Sequence, residues 1–145
     1  MKSVSVNFDP SSFTLNVTSD NASDAITVNP VNTFGQQVVA NGRVVFQGAF
    51  NVRQLIVRGN GGNDLVVDNL NVPSIILAGT GNDTVFGGPN ADRIFGESGN
   101  DRLEGRAGND GLTGGEGADR FVGGPGTDTA TDYNRAQGDT RVSIP

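Results

Sequence analysis

The stretch that decides the fold is Ala78-Gly79-Thr80-Gly81-Asn82-Asp83-Thr84-Val85-Phe86, followed by Gly87-Gly88-Pro89-Asn90-Ala91-Asp92-Arg93-Ile94-Phe95 and Gly96-Glu97-Ser98-Gly99-Asn100-Asp101-Arg102-Leu103-Glu104. The same frame continues through Gly105-Arg106-Ala107-Gly108-Asn109-Asp110-Gly111-Leu112-Thr113, Gly114-Gly115-Glu116-Gly117-Ala118-Asp119-Arg120-Phe121-Val122 and Gly123-Gly124-Pro125-Gly126-Thr127-Asp128-Thr129-Ala130-Thr131. Each unit of nine reads Gly-Gly-x-Gly-x-Asp-x-apolar-x, and Asp holds the sixth position in all six units. A fixed short period of this kind is the signature of a stacked repeat architecture. Departures are few: Ala78 stands at a first position, Glu97 and Arg106 at second positions, and Asn90 at a fourth.

Working outward, Gly59-Asn60-Gly61-Gly62-Asn63-Asp64-Leu65-Val66-Val67 is an earlier copy. The ten residues Asp68–Leu77 keep an apolar strand but lack the glycines and a sixth-position carboxylate. Gln54–Val57 and Arg43–Phe46 are expected to be two further strands, and Ser19–Thr27 a degenerate unit. An apolar series runs through Phe46, Ile56, Val66, Ile76, Val85, Ile94, Leu103, Leu112, Phe121 and Ala130. Strands of about three residues are too short to stand alone and gain stability by stacking on their equivalents. One inward apolar residue per unit predicts a thin core between two sheets. Residues 31–42 read as an irregular excursion with a turn at Asn41-Gly42.

The bulk properties fit this reading. The chain has 145 residues, the size of one domain, with 22 Gly and only 34% hydrophobic residues. The glycines follow no three-residue period, which excludes a collagen-like helix. Net charge is −6 and the isoelectric point about 4.4, which suits a cation and disfavours nucleic acid. Cys and His are absent, so no disulfide staples the fold and no Ser-His or Cys-His pair is available for catalysis. Every carboxylate of the array is explained by the repeat, so no single acid–base pair stands out and no enzymatic activity is expected. The residues from Met1 to Pro10 lack the apolar core of a cleavable signal peptide, and no run of 18 apolar residues predicts a membrane span.

Each unit is a six-residue turn followed by a three-residue strand. The turn exposes backbone carbonyls and ends on a carboxylate. Stacked turns therefore bring hard oxygen donors together, the donor type that Ca²⁺ takes in shells of about six to eight oxygens. Zn²⁺ would call for His or Cys ligands. The competing interpretation is a metal-free solenoid whose Asp residues only cap turns. It leaves unexplained why Asp, and not Asn or Ser, holds every sixth position, since stacked like charges repel.

The units quoted above resemble the hemolysin-type calcium-binding repeat, the nonapeptide RTX β-roll, strictly over residues 78–131 and more weakly over 59–145. The resemblance implies an all-β, right-handed parallel β-roll in which two units complete one coil, so odd and even turns fall on opposite edges. It implies about five Ca²⁺ ions between successive turns of an edge. Asp64, Asp83, Asp101 and Asp119 would supply side chains on one edge, and Asp92, Asp110 and Asp128 on the other. Backbone carbonyls near Gly59, Gly61, Gly79, Gly81, Gly87, Pro89, Gly96, Ser98, Gly105, Ala107, Gly114 and Glu116 would complete the shells. The 68–77 unit is expected to leave its edge without a full site at the N-terminal end.

The expected organisation is an N-terminal β cap with degenerate coils over 1–58, a nonapeptide roll over 59–131 and a C-terminal cap over 132–145, all one cooperative domain. The aromatics Phe8, Phe13, Phe34, Phe46 and Phe50 support the cap assignment, and the segment Thr129–Asp139 resembles the one that follows the last repeat in many such proteins. The resemblance further implies a monomer that folds on calcium outside the cell or at the surface of a bacterium, with secretion machinery or parent-protein domains as partners. Alternatives are a self-standing secreted calcium-binding protein or an adhesion or matrix component. Arg93, Arg102 and Arg120 read as solubilising charge rather than an anion site. The outward rank Thr84, Arg93, Arg102, Gly111, Arg120 and Thr129 is too irregular for ice binding.

Overall fold

The computed structural model describes residues 3–31 and 35–144, with Val44 described by its backbone alone. Met1, Lys2 and Phe34 of the terminal and cap assignments lie outside the described residues. The chain is all-β, a solenoid of stacked and mainly parallel strands. Fifteen strands are described: β1 Ser5–Asp9, β2 Thr14–Thr18, β3 Ala25–Pro30, β4 Gly35–Ala40, β5 Arg43–Ala49, β6 Gln54–Arg58, β7 Leu65–Asp68, β8 Ser74–Thr80, β9 Thr84–Phe86, β10 Arg93–Ser98, β11 Arg102–Glu104, β12 Gly111–Glu116, β13 Arg120–Val122, β14 Thr129–Ala130 and β15 Thr140–Val142.

The nine-residue period sorts these strands between two sheets. Successive units alternate, so a strand meets its sheet neighbour two units later. Arg93 pairs with Gly111, and Arg102 with Arg120, each eighteen residues on. One sheet runs β1-β2-β6-β8-β10-β12-β14 and the other β15-β13-β11-β9-β7-β3-β4-β5. Pairing is parallel from β2 to β14 and from β3 to β15. The turns between strands line the two edges of this sandwich.

From β9 onward the core is a single file of side chains from each sheet, and β2, β3, β6 and β8 bury two apolar residues each. Val66, Ile76, Val85, Ile94, Leu103, Leu112 and Phe121 are fully buried. They are the apolar eighth positions or their equivalents, and they interdigitate because successive β side chains alternate between faces. The ten-residue step shifts this phase upstream. Leu55 and Val57 are fully buried while Ile56 faces outward, because Val57 and not Ile56 pairs with Ile76. Ala130 is half-buried at the far end of its sheet.

The N-terminal region joins the same stack. β2 pairs with β6 and β3 with β7, each across forty residues, so the Ser19–Asp24 turn is a true coil turn. The forty-residue step leaves room for an excursion, and its described part is regular. Gly35–Ala40 is a strand rather than irregular chain, turning at Asn41-Gly42 (φ +50° and +75°) into antiparallel β5. Phe46 therefore belongs to an antiparallel strand and not to a coil. Phe50 stacks on Phe8 at 4.4 Å between ring centroids and lies 5.9 Å from Phe46. At the other end Tyr133 meets Phe121 edge-on at 6.3 Å.

Two second-position residues show what the repeat asks of its turns. Glu97 and Arg106 hold φ of +77° and +69°, the left-handed region that most repeats fill with Gly. Replacing Glu97 by Gly is expected to raise unfolding free energy by about 1 kcal/mol, the usual scale of relief from a left-handed non-Gly residue. Gly99→Ala should do the opposite, because φ there is +135° and a methyl group would run into the Gly81 carbonyl. Denaturant melts of both variants in saturating calcium check the pair; equal stabilities would contradict it.

Candidate metal centres along the two turn edges

Each turn places its sixth-position Asp beneath its own first residue. At Gly96, an added Cβ would collide with Asp101 Oδ2 and lie 2.6 Å from the Gly114 carbonyl oxygen of the next turn. A carboxylate oxygen and a carbonyl oxygen from adjacent turns thus converge where the chain carries no side chain. The same crowding of a first-position Gly by its own carboxylate recurs at Gly59, Gly87, Gly105, Gly114 and Gly123.

The carboxylates form two rows. On one edge the backbone N–H of Asp64 donates to Asp83 Oδ1 at 2.7 Å, that of Asp83 to Asp101 Oδ1 at 2.8 Å, and that of Asp101 to Asp119 Oδ1 at 2.9 Å. On the other, Asp92 N–H donates to Asp110 Oδ1 at 2.8 Å and Asp110 N–H to Asp128 Oδ1 at 2.9 Å. All seven predicted Asp residues are buried. The structure therefore brings every one of them into a row, divided between edges as the repeat register requires.

Two row members escaped the sequence reading. Asp24 N–H donates to Asp64 Oδ1 at 2.7 Å, and Asp119 N–H to Asp139 Oδ1 at 2.9 Å. Asp24 is the sixth residue of the degenerate unit beginning at Ser19, so its signal was present. Asp139 follows Asp119 by twenty residues rather than eighteen and breaks the period. It ends its row, because its second oxygen accepts the Asn134 N–H at 2.7 Å.

The unused oxygens distinguish the residues. Among the described residues Oδ2 of Asp24, Asp64, Asp83, Asp101, Asp110, Asp119 and Asp128 is buried with no hydrogen-bond partner. A carboxylate oxygen left in this way is costly unless something else satisfies it. Asp92 differs, since its Oδ2 accepts the Gly88 N–H at 2.6 Å and its Oδ1 the Ser74 N–H and hydroxyl at 2.7 and 2.9 Å. Its turn differs too: neither Gly88 nor Asn90 has the positive φ seen at the matching positions of other turns.

Burial raises these carboxyls. It pushes Asp64 and Asp110 up to about 6 and Asp101 up to about 7, with the charges of neighbouring row members adding to the effect and one amide bond each opposing it. Burial likewise raises Asp83, Asp92 and Asp119. A cation of charge two would remove this penalty and satisfy the orphaned oxygens together. The donors fit a hard ion: carboxylate plus carbonyl, with no nitrogen or sulfur. Among the described residues no three acidic, histidine or cysteine side chains converge, so a shell here draws on backbone oxygens as well.

The profile of the RTX calcium-binding nonapeptide repeat, in four copies, matches residues 75–103 and 95–130. No curated protein and no solved structure matches the chain.

The raised carboxyls fix the sign of a pH effect on the metal-free chain. Below about pH 4 they are protonated whether folded or unfolded. As pH rises the unfolded chain releases protons first, so the metal-free fold loses stability until the folded values of about 6 to 7 are passed. Circular dichroism in chelator should show more β structure at pH 5 than at pH 8. A β signal that grows with pH would reverse the argument.

Proposed function

We propose that the chain, whose residues 75–130 match the RTX calcium-binding nonapeptide repeat, is a calcium-triggered folding module that works outside the cell, within or derived from a secreted or cell-surface protein. The repeat and its buried Asp rows suggest a calcium-binding structural module. The observation that carries the reading is the buried carboxylates of Asp64, Asp83, Asp101, Asp110, Asp119 and Asp128, each with one oxygen left unpartnered.

In this reading Asp64, Asp83, Asp101 and Asp119 serve one edge, and Asp110 and Asp128 the other, each ion also taking turn carbonyls. Asp92 is the weakest of the set because N–H and O–H donors already hold both its oxygens. About five ions bind, as the family pattern implies. The ions act as cross-links between turns, replacing the disulfides that a small extracellular fold would otherwise use. Binding and folding are then one process, because the site exists only when adjacent turns are stacked. Weak sites suit extracellular calcium of about millimolar concentration and stay empty in a cytosol. Secretion from a bacterium and operation as a monomer follow the same family pattern. Among the described residues no helix is long and apolar enough to cross a membrane.

The experiment is a calcium titration by calorimetry with circular dichroism recorded alongside. Uptake of about five ions with a gain of β structure supports the proposal; an unchanged β spectrum after chelation overturns the folding trigger. Asp101→Asn should weaken binding about tenfold or more, since it removes a charge shared by two turns, and should weaken it more than Asp92→Asn does.

A further inference from the structure

The 68–74 turn lacks the sixth-position carboxylate that marks its neighbours. Ser74 stands there, level with Asp92, as the pairing of Ile75 with Arg93 shows. Yet a carboxylate is present. Asp68 follows Val67, which pairs with Phe86, so Asp68 occupies the first position of the turn, level with Gly87. In the turns that begin with Gly a side chain at the first position would run into the sixth-position carboxylate. Asp68 therefore reaches, from the opposite end of the turn, toward the space that the short Ser74 leaves open.

Asp68 is fully buried. Its Oδ1 accepts the Leu70 N–H at 2.8 Å, and its Oδ2 has no hydrogen-bond partner among the described residues. That oxygen and the Leu70 carbonyl oxygen face the same bare flank of Gly88 in the next turn: a Cβ there would lie 3.1 Å from Asp68 Oδ2 and 2.9 Å from Leu70 O. Gly88 lacks the positive φ of other second positions, so what its missing side chain provides is room. An open cavity of about 350 Å³ lies against Asp68, Gly88 and Arg106. Arg106 lends the carboxylate some opposing charge but makes no hydrogen bond to it. Its Nη1 donates to the Asp68 backbone carbonyl at 3.0 Å and to Asn69 Oδ1 at 3.1 Å, and its guanidinium lies 5.3 Å from the Phe86 ring centre. Burial raises the Asp68 carboxyl to about 7, and the nearby charge of Asp92 adds to this.

We propose that Asp68 Oδ2 and the Leu70 carbonyl oxygen, beside Gly88, hold a further calcium-class cation at the end of this edge, where the repeat pattern alone leaves none. The proposal rests on the calcium reading of the two rows. It moves the carboxylate from the sixth to the first position of a turn while keeping it in the same space, with water completing the shell. Because only one carboxylate oxygen and one carbonyl contribute, the site is weaker than those within the rows and fills last.

Native mass spectrometry of the full chain over a calcium series tests this by counting ions. Asp68→Asn keeps the side-chain shape and should bind one ion fewer than the wild type at saturation, with the β spectrum in calcium preserved. Gly88→Ala, which touches no carboxylate but crowds the two oxygens, should lose the same ion. If Asp68→Asn binds the full number, the Asp68 site is wrong and the row reading stands. If the wild type takes up no calcium, both fall together. An Asp68→Asn chain that fails to fold leaves Gly88→Ala to decide, and a full ion count in that variant overturns the site.

Discussion

Buried like charge is the constraint on which this structure depends. A nine-residue period brings an Asp to the same place on the same edge in every second unit, and the fold then removes those carboxylates from water. One oxygen of each is held by the amide of the turn before it, as Asp101 is by Asp83. Except at Asp92 and Asp139, the other is left over. An apolar core that is one residue deep per strand from β9 onward has little surplus with which to offset that cost, since small cores are marginal to begin with. The fold and its counter-ion are therefore parts of one stability problem.

The turn chemistry follows from the same constraint. In the turns that begin with Gly a first-position side chain would crowd the carboxylate, and among turns with a sixth-position Asp, Ser19 and Ala78 are the exceptions to that choice. The second position takes a left-handed conformation in most turns, and Asn60, Glu97 and Arg106 hold it as well as Gly does. Arg106 turns this tolerance to use by bonding to Asp68 and Asn69, two turns away on the same edge. Where the row ends, protein groups take over the unused oxygens. Asn134 does so for Asp139, and Asp132 accepts the Gly114 and Gly115 amides at 2.9 and 2.6 Å.

Much of this was legible in the sequence from Ala78 onward, because there the period is strict and one register explains every residue. The six Asp residues from Asp83 to Asp128 follow from counting by nine, and their division between edges is what the resemblance to the nonapeptide repeat implies. Legibility fell where spacing changed. Ile56 was placed inward by extending a step of ten, whereas pairing with β8 puts Val57 there. Gly35–Ala40 was read as irregular because Gly35, Gln36 and Gln37 carry no alternating apolar pattern, although antiparallel neighbours on both sides make it a strand. Asp68 was passed over because a motif assigns meaning by position, and this carboxylate reaches its place from the wrong one.

The forty-residue offset between β2 and β6 shows how such a chain measures length. Neighbouring turns elsewhere are separated by eighteen, nineteen or twenty residues, so a turn absorbs one or two extra residues as slack. A loop of some twenty residues is absorbed as well, because the chain still passes from β3 in one sheet to β6 in the other. Insertion of a single unit of nine is different in kind. It would deliver every later strand to the opposite sheet and exchange the two carboxylate rows from that point on. The roll thus carries a parity, and chains of this design are free to lengthen by whole coils or by loops, while half-coils rewrite everything downstream.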